Sequence, residues 1–568
     1  MASEIIMPKA GMAMERGRVV KWFKNEGDKV EKGEAILEIL TDKVNMEVEA
    51  EINGTLLKIL AHEGEELPVF TTIGYIGEEG EEISIKEERK EIKKEEKPEE
   101  VEKYRENKGG EKYDVIVIGG GPAGYVAAIR ASQLGGKVAL IEKDVVGGTC
   151  LNRGCIPTKT YLKNAETIEN IKHSNRRGII LEDLKIRIDM KKVVSEKNRV
   201  VQTLTTGIMS LLKSYGITTY RGIGKIGKDK KVIISNGQII EGRKIILAGG
   251  SKVARINIPG VDSPLVITSD EILDLQEIPK RLIVIGGGVI GVELATVFNL
   301  YGSQVTIIEM EDMIVPTMDK DVSKELSKNL EAKGIRIFTS TGVEKIEEID
   351  NKLKIYLGNN DSIEGEKALL SIGRVPDLDG IGDISFQMER GRIRVNEYME
   401  TSIKDIYAPG DINGLNMLAH AAFKMGEASG ANAMGENEKV NLSNVPKCIY
   451  TLPEVGSVGL TEDEARKKYD VAIGRFNFGA NGRALASGEG VGFVKVIVDK
   501  RYGEILGVHI IGPGAAEIIN EAGALMEMEI TVNEAVKIIH GHPTFSEAFV
   551  EACGDALGCC IHLPKKFA

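Results

Sequence analysis

Apolar and polar positions alternate through the first 77 residues in short runs such as "GRVVKWF", "EAILEIL", "VNMEVEA" and "GTLLKIL". Turn signals, "NEGD" and "EKGE" among them, separate the runs. Short strands at regular spacing between such turns predict a small all-β sandwich or barrel over 1–77. From 78 to 111 the pattern stops, and "EEGEEISIKEERKEIKKEEKPEEVEKYRENKGGE" is almost free of large apolar residues. Such a segment cannot bury enough surface to offset its ordering entropy, which predicts a solvated linker with at most transient helix from its Glu and Lys spacing. Flexible chain of this length spans roughly 30 Å root-mean-square.

Beyond the linker the period changes. "YDVIVIGGGPAGYVAAIRASQLGGKVALIEK" reads as an apolar strand, a glycine turn, an amphipathic helix and a second strand, and "RLIVIGGGVIGVELATVFNLYGSQVTIIEM" repeats it. Gly119, Gly121, Gly124 and Glu142 in the first copy correspond to Gly286, Gly288, Gly291 and Glu309 in the second, at a common offset of 167 residues. Glycines at this spacing let the backbone approach a pyrophosphate held on the helix N-terminus, and the acid accepts from a ribose hydroxyl. A carboxylate at Glu309 suits the 2′-hydroxyl of NAD and repels the 2′-phosphate of NADP, and "EMEDM" supplies no arginine. Two dinucleotide sites on one chain suggest electron transfer between them, most simply from FAD to NAD.

Composition narrows the classes. At 568 residues the chain is too long for one core. Its 42% hydrophobic and 28% charged residues are those of a soluble globular protein, and a net charge of -12 argues against a nucleic-acid partner. No apolar run approaches a membrane span, and "MASEIIMPKAGMAMERG" lacks the apolar core of a signal peptide. Six unevenly spaced cysteines do not make a secreted disulfide scaffold, so a cytoplasmic location is the expectation.

Two of those cysteines, Cys150 and Cys155, fall in "GGTCLNRGCIPTK" directly after the first nucleotide motif. On a regular helix residues five apart are separated by about 7.5 Å along the axis, beyond the roughly 6.8 Å limit for disulfide Cα atoms. A bond between them needs a distorted turn, which Gly154 and Pro157 supply. The short loop would stabilise little and be comparatively easy to reduce. A zinc site needs two further ligands, and no paired Cys or His spacing accompanies the motif. A redox pair is the better account, with no metal site expected.

Near the C-terminus "HGHPTFSEAF" provides His540, His542 and Glu547. A His oriented by a carboxylate can serve as the base that a thiol substrate requires. The same residues also suit an ordinary capped helix start. The residues by themselves leave both readings open.

In 1–77, "LTDKVNMEV" places Lys43 between two strand-like runs, and Gly54 follows eleven residues later. The segment resembles the lipoyl domains of 2-oxo acid dehydrogenase complexes, whose tip is Asp-Lys-Ala/Val, rather than biotin carriers with Met-Lys-Met. The resemblance implies a lipoyl group in amide linkage on Lys43.

From 112 onward the chain resembles the pyridine nucleotide-disulfide oxidoreductases. "GGTCLNRGCIPTK" follows that family's redox signature throughout. The resemblance implies that Cys150 exchanges with substrate and Cys155 faces the flavin. It likewise puts Lys159 near the flavin with Glu293 as its partner. "IYAPGD" implies Asp411 on the ribityl chain, and "MLAH" implies Met417 and Ala419 against the isoalloxazine. Gly224 falls with the FAD-binding residues and, in "SIGRVPD", Gly373 with those for NAD. "PKCIYTLPEVGSVGLTE" resembles the start of the dimerisation domain. His542 matches the family's base and Glu547 its partner; in the family this pair serves the other subunit's cysteines, which implies a homodimer.

The expected fold class is therefore α/β: two Rossmann-like dinucleotide-binding domains and an α+β dimerisation domain, preceded by a small all-β lipoyl domain. The expected boundaries are 1–77 lipoyl, 78–111 linker, 112–262 FAD-binding, 263–385 NAD-binding, 386–445 a return to the FAD or central domain, and 446–568 dimerisation. Glu309 and the lipoyl unit together imply oxidation of protein-bound dihydrolipoyl groups by NAD+. The partners would be the lipoyl domains and acyltransferase core of a 2-oxo acid dehydrogenase complex, or a glycine cleavage protein. Glutathione reductases would want a basic NADP site. Mercuric reductases share an adjacent C-terminal cysteine pair with Cys559–Cys560, but they differ at His542, and this N-terminal unit has no cysteine. The tail cysteines and "LAGGS" at 247–251, where the family often has Ala-Thr-Gly, are departures. A reading of another class makes the chain mainly a lipoyl-bearing tether within the complex.

Overall fold

The computed structural model describes residues 3–8, 16–40, 45–50, 52–69, 71–77, 112–182, 185–227, 230–358 and 361–564. The expected linker and Lys43 lie outside the described residues. The chain divides into two units, Met1–Val101 and Glu102–Ala568.

The first unit is two four-stranded sheets, ordered Ser3–Ile6, Thr72–Gly77, Gly54–Ile59, Lys29–Val30 and Asn45–Glu49, Ala35–Leu40, Arg16–Trp22, Glu66–Pro68. All pairings are antiparallel. Alternation sends Ile5, Val19, Ile39, Leu56 and Ile73 to a common core, and a register shift between Ala35 and Leu37 lets adjacent Ile36 and Leu37 both be buried there. Leu40 pairs with Asn45 across the strands that flank the expected lipoyl tip.

The second unit contains two parallel sheets that differ from the first unit in pattern because both their faces are covered. In one, Thr218–Arg221, Val138–Glu142, Lys112–Ile118 and Ile239–Leu247 run parallel, and Lys231–Ile234 and Gly224–Ile226 extend the edge antiparallel. In the other, Val266–Ile267, Lys367–Leu370, Arg281–Ile285, Gln304–Ile308 and Arg336–Phe338 are all parallel. The near-continuous apolar runs "VIVI" and "LIVI" are buried centre strands.

Helix Pro122–Gln133 packs on Ala419–Ala433 through small residues: a Cβ on Gly426 would stand 2.3 Å from the Ala123 carbonyl oxygen. Helix Val289–Leu300 is buried along nearly its whole length, between its own sheet and helix Cys155–Lys172. An antiparallel five-stranded sheet, Lys447–Ile449, Glu454–Gly459, Ile505–Gly512, Phe493–Asp499 and Val471–Asn477, completes the unit with helices Ala515–Glu527 and Glu547–Ala556. Buried Lys495 ties this sheet to the second nucleotide fold, donating to Asp319 at 2.9 Å and Asp321 at 2.8 Å. Among the described residues no helix is long and apolar enough to cross a membrane.

Candidate active site

The two glycine motifs close in the same way. Gly119 has φ +103° and Gly286 φ +105°, and a Cβ there would stand 2.2 Å from Ala248 O and 2.5 Å from Ser371 O. At the third glycine of each motif, a Cβ on Gly124 would meet Gly119 O at 1.8 Å, and one on Gly291 would meet Gly286 O at 2.1 Å. The chain's own packing therefore demands these four. The middle glycines differ. Nothing lies within 4 Å of a Cβ on Gly288, and at Gly121 the nearest atom is Gly148 Cα at 3.7 Å. Both are helix N-caps with no side-chain cap, so their bareness leaves first-turn amides open to an anionic group.

The acids repeat too. Glu142 Oε2 accepts from Gly120 N and Glu309 Oε2 from Gly287 N, each at 2.6 Å. Their other oxygens accept from Asp144 N and Glu311 N, each at 2.8 Å. These hydrogen bonds fix a carboxylate beside each glycine turn. The open helix starts and flanking acids fit two dinucleotides, the FAD and NAD expected from sequence.

The redox motif is broken where the spacing required it. Cys150 lies on the short helix Gly148–Arg153 and Cys155 opens helix Cys155–Lys172, with Gly154 at φ −137° and ψ −109° between them. A Cβ on Gly154 would stand 2.9 Å from Thr149 O. Asn152 pins the loop, its side-chain amide donating to Val146 O at 3.1 Å and Gly148 O at 3.0 Å. Both cysteines are free thiols here. The break sets the two thiols close enough for a hydrogen bond between them to dominate how each titrates. That bond raises the Cys150 thiol and, against burial and with help from Lys159, draws Cys155 down to about 7. The asymmetry makes Cys155 the thiolate of the pair.

One turn along, Lys159 Nζ donates to buried Glu293 at 2.9 Å and 3.1 Å. Tyr450 joins them: the ammonium lies 4.4 Å from its ring centroid, and its backbone N–H donates to Glu293 Oε1 at 2.9 Å. Tyr450 is not among the residues expected from sequence. Neither is Tyr125, whose hydroxyl is raised mainly by burial and whose ring lies edge-on to Phe423 at 6.0 Å.

Asp411 is buried enough to raise its carboxyl, and it accepts from Ser251 Oγ at 2.5 Å. Arg374 donates to Ser251 Oγ at 2.8 Å and to Thr149 Oγ1 at 3.4 Å, so the residue after Gly373 touches the short helix that carries Cys150. The departure "LAGGS" thus still places its serine on Asp411. Gly373 has φ +109° and open space around it. Gly224 is buried against Ile141 and Ile118, so packing alone accounts for the glycine. Met417 is half-buried, and Ala419 begins a helix with no side-chain cap.

At the far end, His542 Nδ1 is 2.8 Å from Glu547 Oε1, and its side chain is 78% exposed. Glu547 Oε2 accepts from Thr544 N at 2.7 Å. Glu547 is the first residue of helix Glu547–Ala556, whose N-cap Ser546 makes no side-chain cap, so the capped start expected from sequence is not formed; the carboxylate instead ties the preceding turn at Thr544 and orients the imidazole. His540 Nε2 is engaged by Glu521 at 2.5 Å and is nearly buried, which leaves His542 the more accessible imidazole of the two. In the tail, Cys560 donates to Glu551 at 2.8 Å and Cys559 is exposed.

A parallel nucleotide-binding sheet joined to a thiol pair, with a second nucleotide fold beside it, defines a dinucleotide-dependent disulfide oxidoreductase. The comparisons agree. The family model described as "Pyridine nucleotide-disulphide oxidoreductase" matches residues 113–426, and its dimerisation-domain model matches 445–553. A biotin–lipoyl family model, described as "Biotin-requiring enzyme", matches 3–76. A dihydrolipoyl dehydrogenase of Bacillus subtilis is 39% identical over 455 residues, covering 78% of this chain and 99% of the relative. The mitochondrial dihydrolipoyl dehydrogenase of Pisum sativum is 37% identical, covering 80% of this chain and 93% of its own. LpdA from Mycobacterium tuberculosis matches with TM-score 0.72 at 25% identity, over 77% of this chain and 98% of that one. The flavoprotein disulfide reductase RclA from Escherichia coli matches with TM-score 0.71 at 27% identity, over 78% and 99%. The chain belongs to the pyridine nucleotide-disulphide oxidoreductase family.

Proposed function

We propose that the chain is an NAD-dependent dihydrolipoyl dehydrogenase that oxidises protein-bound dihydrolipoyl groups, working as a homodimer within a 2-oxo acid dehydrogenase or glycine cleavage complex. The observation that carries this reading is the company the thiol pair keeps: an NAD-type acid at Glu309, an oriented His542, and a lipoyl-type unit on the same chain. His542, of the second copy in a dimer, accepts a proton from one dihydrolipoyl thiol. The thiolate attacks Cys150 in the oxidised pair; a substrate–Cys150 bond forms, the Cys150–Cys155 bond breaks, and Cys155 leaves as thiolate. The second substrate thiol displaces Cys150, giving lipoyl disulfide and a reduced pair, so two electrons have moved from substrate to enzyme. FAD, when bound, supplies the two-electron relay from that pair to NAD+. Gly119, Gly121, Gly124, Glu142 and Asp411 would hold FAD; Gly286, Gly288, Gly291, Glu309 and Gly373 would hold NAD. Lys159 and Glu293 place a fixed cation beside Cys155. Lys43, lipoylated, would be an arm that visits this site or one in a partner protein.

The test uses full-length holoenzyme from its native host. Free dihydrolipoamide should reduce NAD+ and not NADP+, and the mass of the Lys43 peptide should carry a lipoyl group. No NADH from wild type overturns the enzyme reading, and unmodified Lys43 overturns the swinging arm. The lipoyl-type unit also supports tethering, which Lys43→Ala separates: loss of complex turnover with assembly intact favours the arm, and failed assembly favours the tether.

A further inference from the structure

The Lys159 ammonium favours the thiolate at both redox cysteines, so whatever fixes it matters to the reaction. Glu293 takes it by two contacts, at 2.9 Å and 3.1 Å, on one side. Tyr450 takes the other side with its ring face at 4.4 Å, and its amide binds Glu293 Oε1 at 2.9 Å. Tyr450 thus grips both members of the ion pair, one with the ring and one with the backbone. It comes from the segment between strand Lys447–Ile449 and Glu454–Gly459, in the part of the chain matched by the dimerisation model. An ammonium over an aromatic face is held by the ring quadrupole, and more strongly when partly desolvated; here Lys159 is about two-thirds covered.

We propose that Tyr450 is a positioning residue for the redox centre: its ring and amide hold the Lys159–Glu293 pair so that the ammonium is presented to Cys155. The dimerisation-type domain then contributes to the centre within one chain, apart from any role of His542 across a dimer. The charged and titratable groups around this point are few. Cys155 faces Cys150, Lys159 and Glu293. Tyr450 faces Cys448, Glu454, Glu293 and Glu517. Cys448 is pushed up to about 11, mainly by burial, so it brings no competing thiolate at neutral pH.

The inference rests on the redox reading of Cys150 and Cys155, and its test is independent of the substrate. In reduced holoenzyme carrying Cys150→Ser, whose hydroxyl keeps a donor to Cys155, the rate of Cys155 alkylation by iodoacetamide is followed against pH by mass spectrometry. Tyr450→Phe keeps the ring and should leave the midpoint in place. Pentafluorophenylalanine at position 450 keeps the shape but reverses the quadrupole, and Tyr450→Leu removes it. Both should move the midpoint up by about half a unit, roughly a twofold smaller thiolate fraction at a pH equal to the original midpoint. The fluorinated ring preserves the packing, so the outcome does not depend on the leucine variant folding. An unmoved midpoint with the fluorinated ring overturns the proposal, as does Tyr450→Phe shifting it equally, which would assign the effect to the hydroxyl. Failure of dihydrolipoamide to reduce NAD+ would overturn the functional reading and leave this result standing.

Discussion

The two nucleotide folds of the second unit are nearly one structure used twice, and what differs between them is where the chemistry lies. Gly119 and Gly286 share a left-handed backbone, Gly124 and Gly291 the same close approach, and Glu142 and Glu309 the same 2.6 Å hydrogen bond to a glycine amide. After Glu142 the chain enters the glycine turn at 147–148 and then the broken helix with its thiols. After Glu309 it continues through exposed Met310 into acidic residues, with no nucleophile. The glycine turn determines that a dinucleotide can bind, and the segment after the acid determines what is done with it. The helices diverge for the same reason. Pro122–Gln133 needs small residues to lie against Ala419–Ala433, whereas Val289–Leu300 carries the buried Glu293 that faces the other fold's Lys159.

The strongest way to break the comparison is at the thiols. Cys155→Ser should lower dihydrolipoamide-dependent NAD+ reduction at least about a thousand-fold, because the exchange loses its leaving group. Binding of NAD at the second fold, measured by calorimetry on the same variant, should be unchanged. Next is the acid of the second copy: Glu309→Ala should raise KM for NAD+ about tenfold and lessen the discrimination against NADP+, since the ribose acceptor and its repulsion of a 2′-phosphate both go. Steady-state kinetics with each nucleotide checks this. Glu142→Ala should instead weaken FAD retention and leave the nucleotide preference intact.

The smallest effect sharpens the asymmetry between the cysteines. Cys155 is drawn to about 7 from an ordinary 9.0 chiefly by the hydrogen bond from Cys150. Its reactive thiolate is therefore present above that value and is lost as pH falls through it. Cys150→Ala, which removes the donor, should move the Cys155 alkylation midpoint upward by about one unit, toward that of an ordinary thiol.

Much of this was legible in the sequence wherever function depends on local spacing. The glycine repeats, the five-residue cysteine spacing and the His542–Glu547 pair are read within a dozen residues of text, and the structure shows the expected break at Gly154 and the 2.8 Å contact between His542 and Glu547. Contacts that join distant segments were not legible. Lys159, Glu293 and Tyr450 meet across three stretches of chain, and Ser251, Arg374 and Asp411 across three more, with no periodicity to announce them. The Lys159–Glu293 pair was reached only through resemblance to a family. Tyr450 was not reached at all, because a tyrosine in a strand connection looks like any other packing residue.

The central claim is that Cys150 and Cys155 are one redox centre that exchanges electrons with NAD. It is tested most directly by mapping thiols in oxidised holoenzyme before and after anaerobic addition of NADH, with isotopically distinct alkylating agents applied to the unfolded protein. Conversion of Cys150 and Cys155 together from disulfide to dithiol, with Cys448, Cys553, Cys559 and Cys560 unchanged, is the predicted result. A pair that stays disulfide-bonded while NADH is consumed, or reduction confined to the Cys559–Cys560 tail, would contradict it.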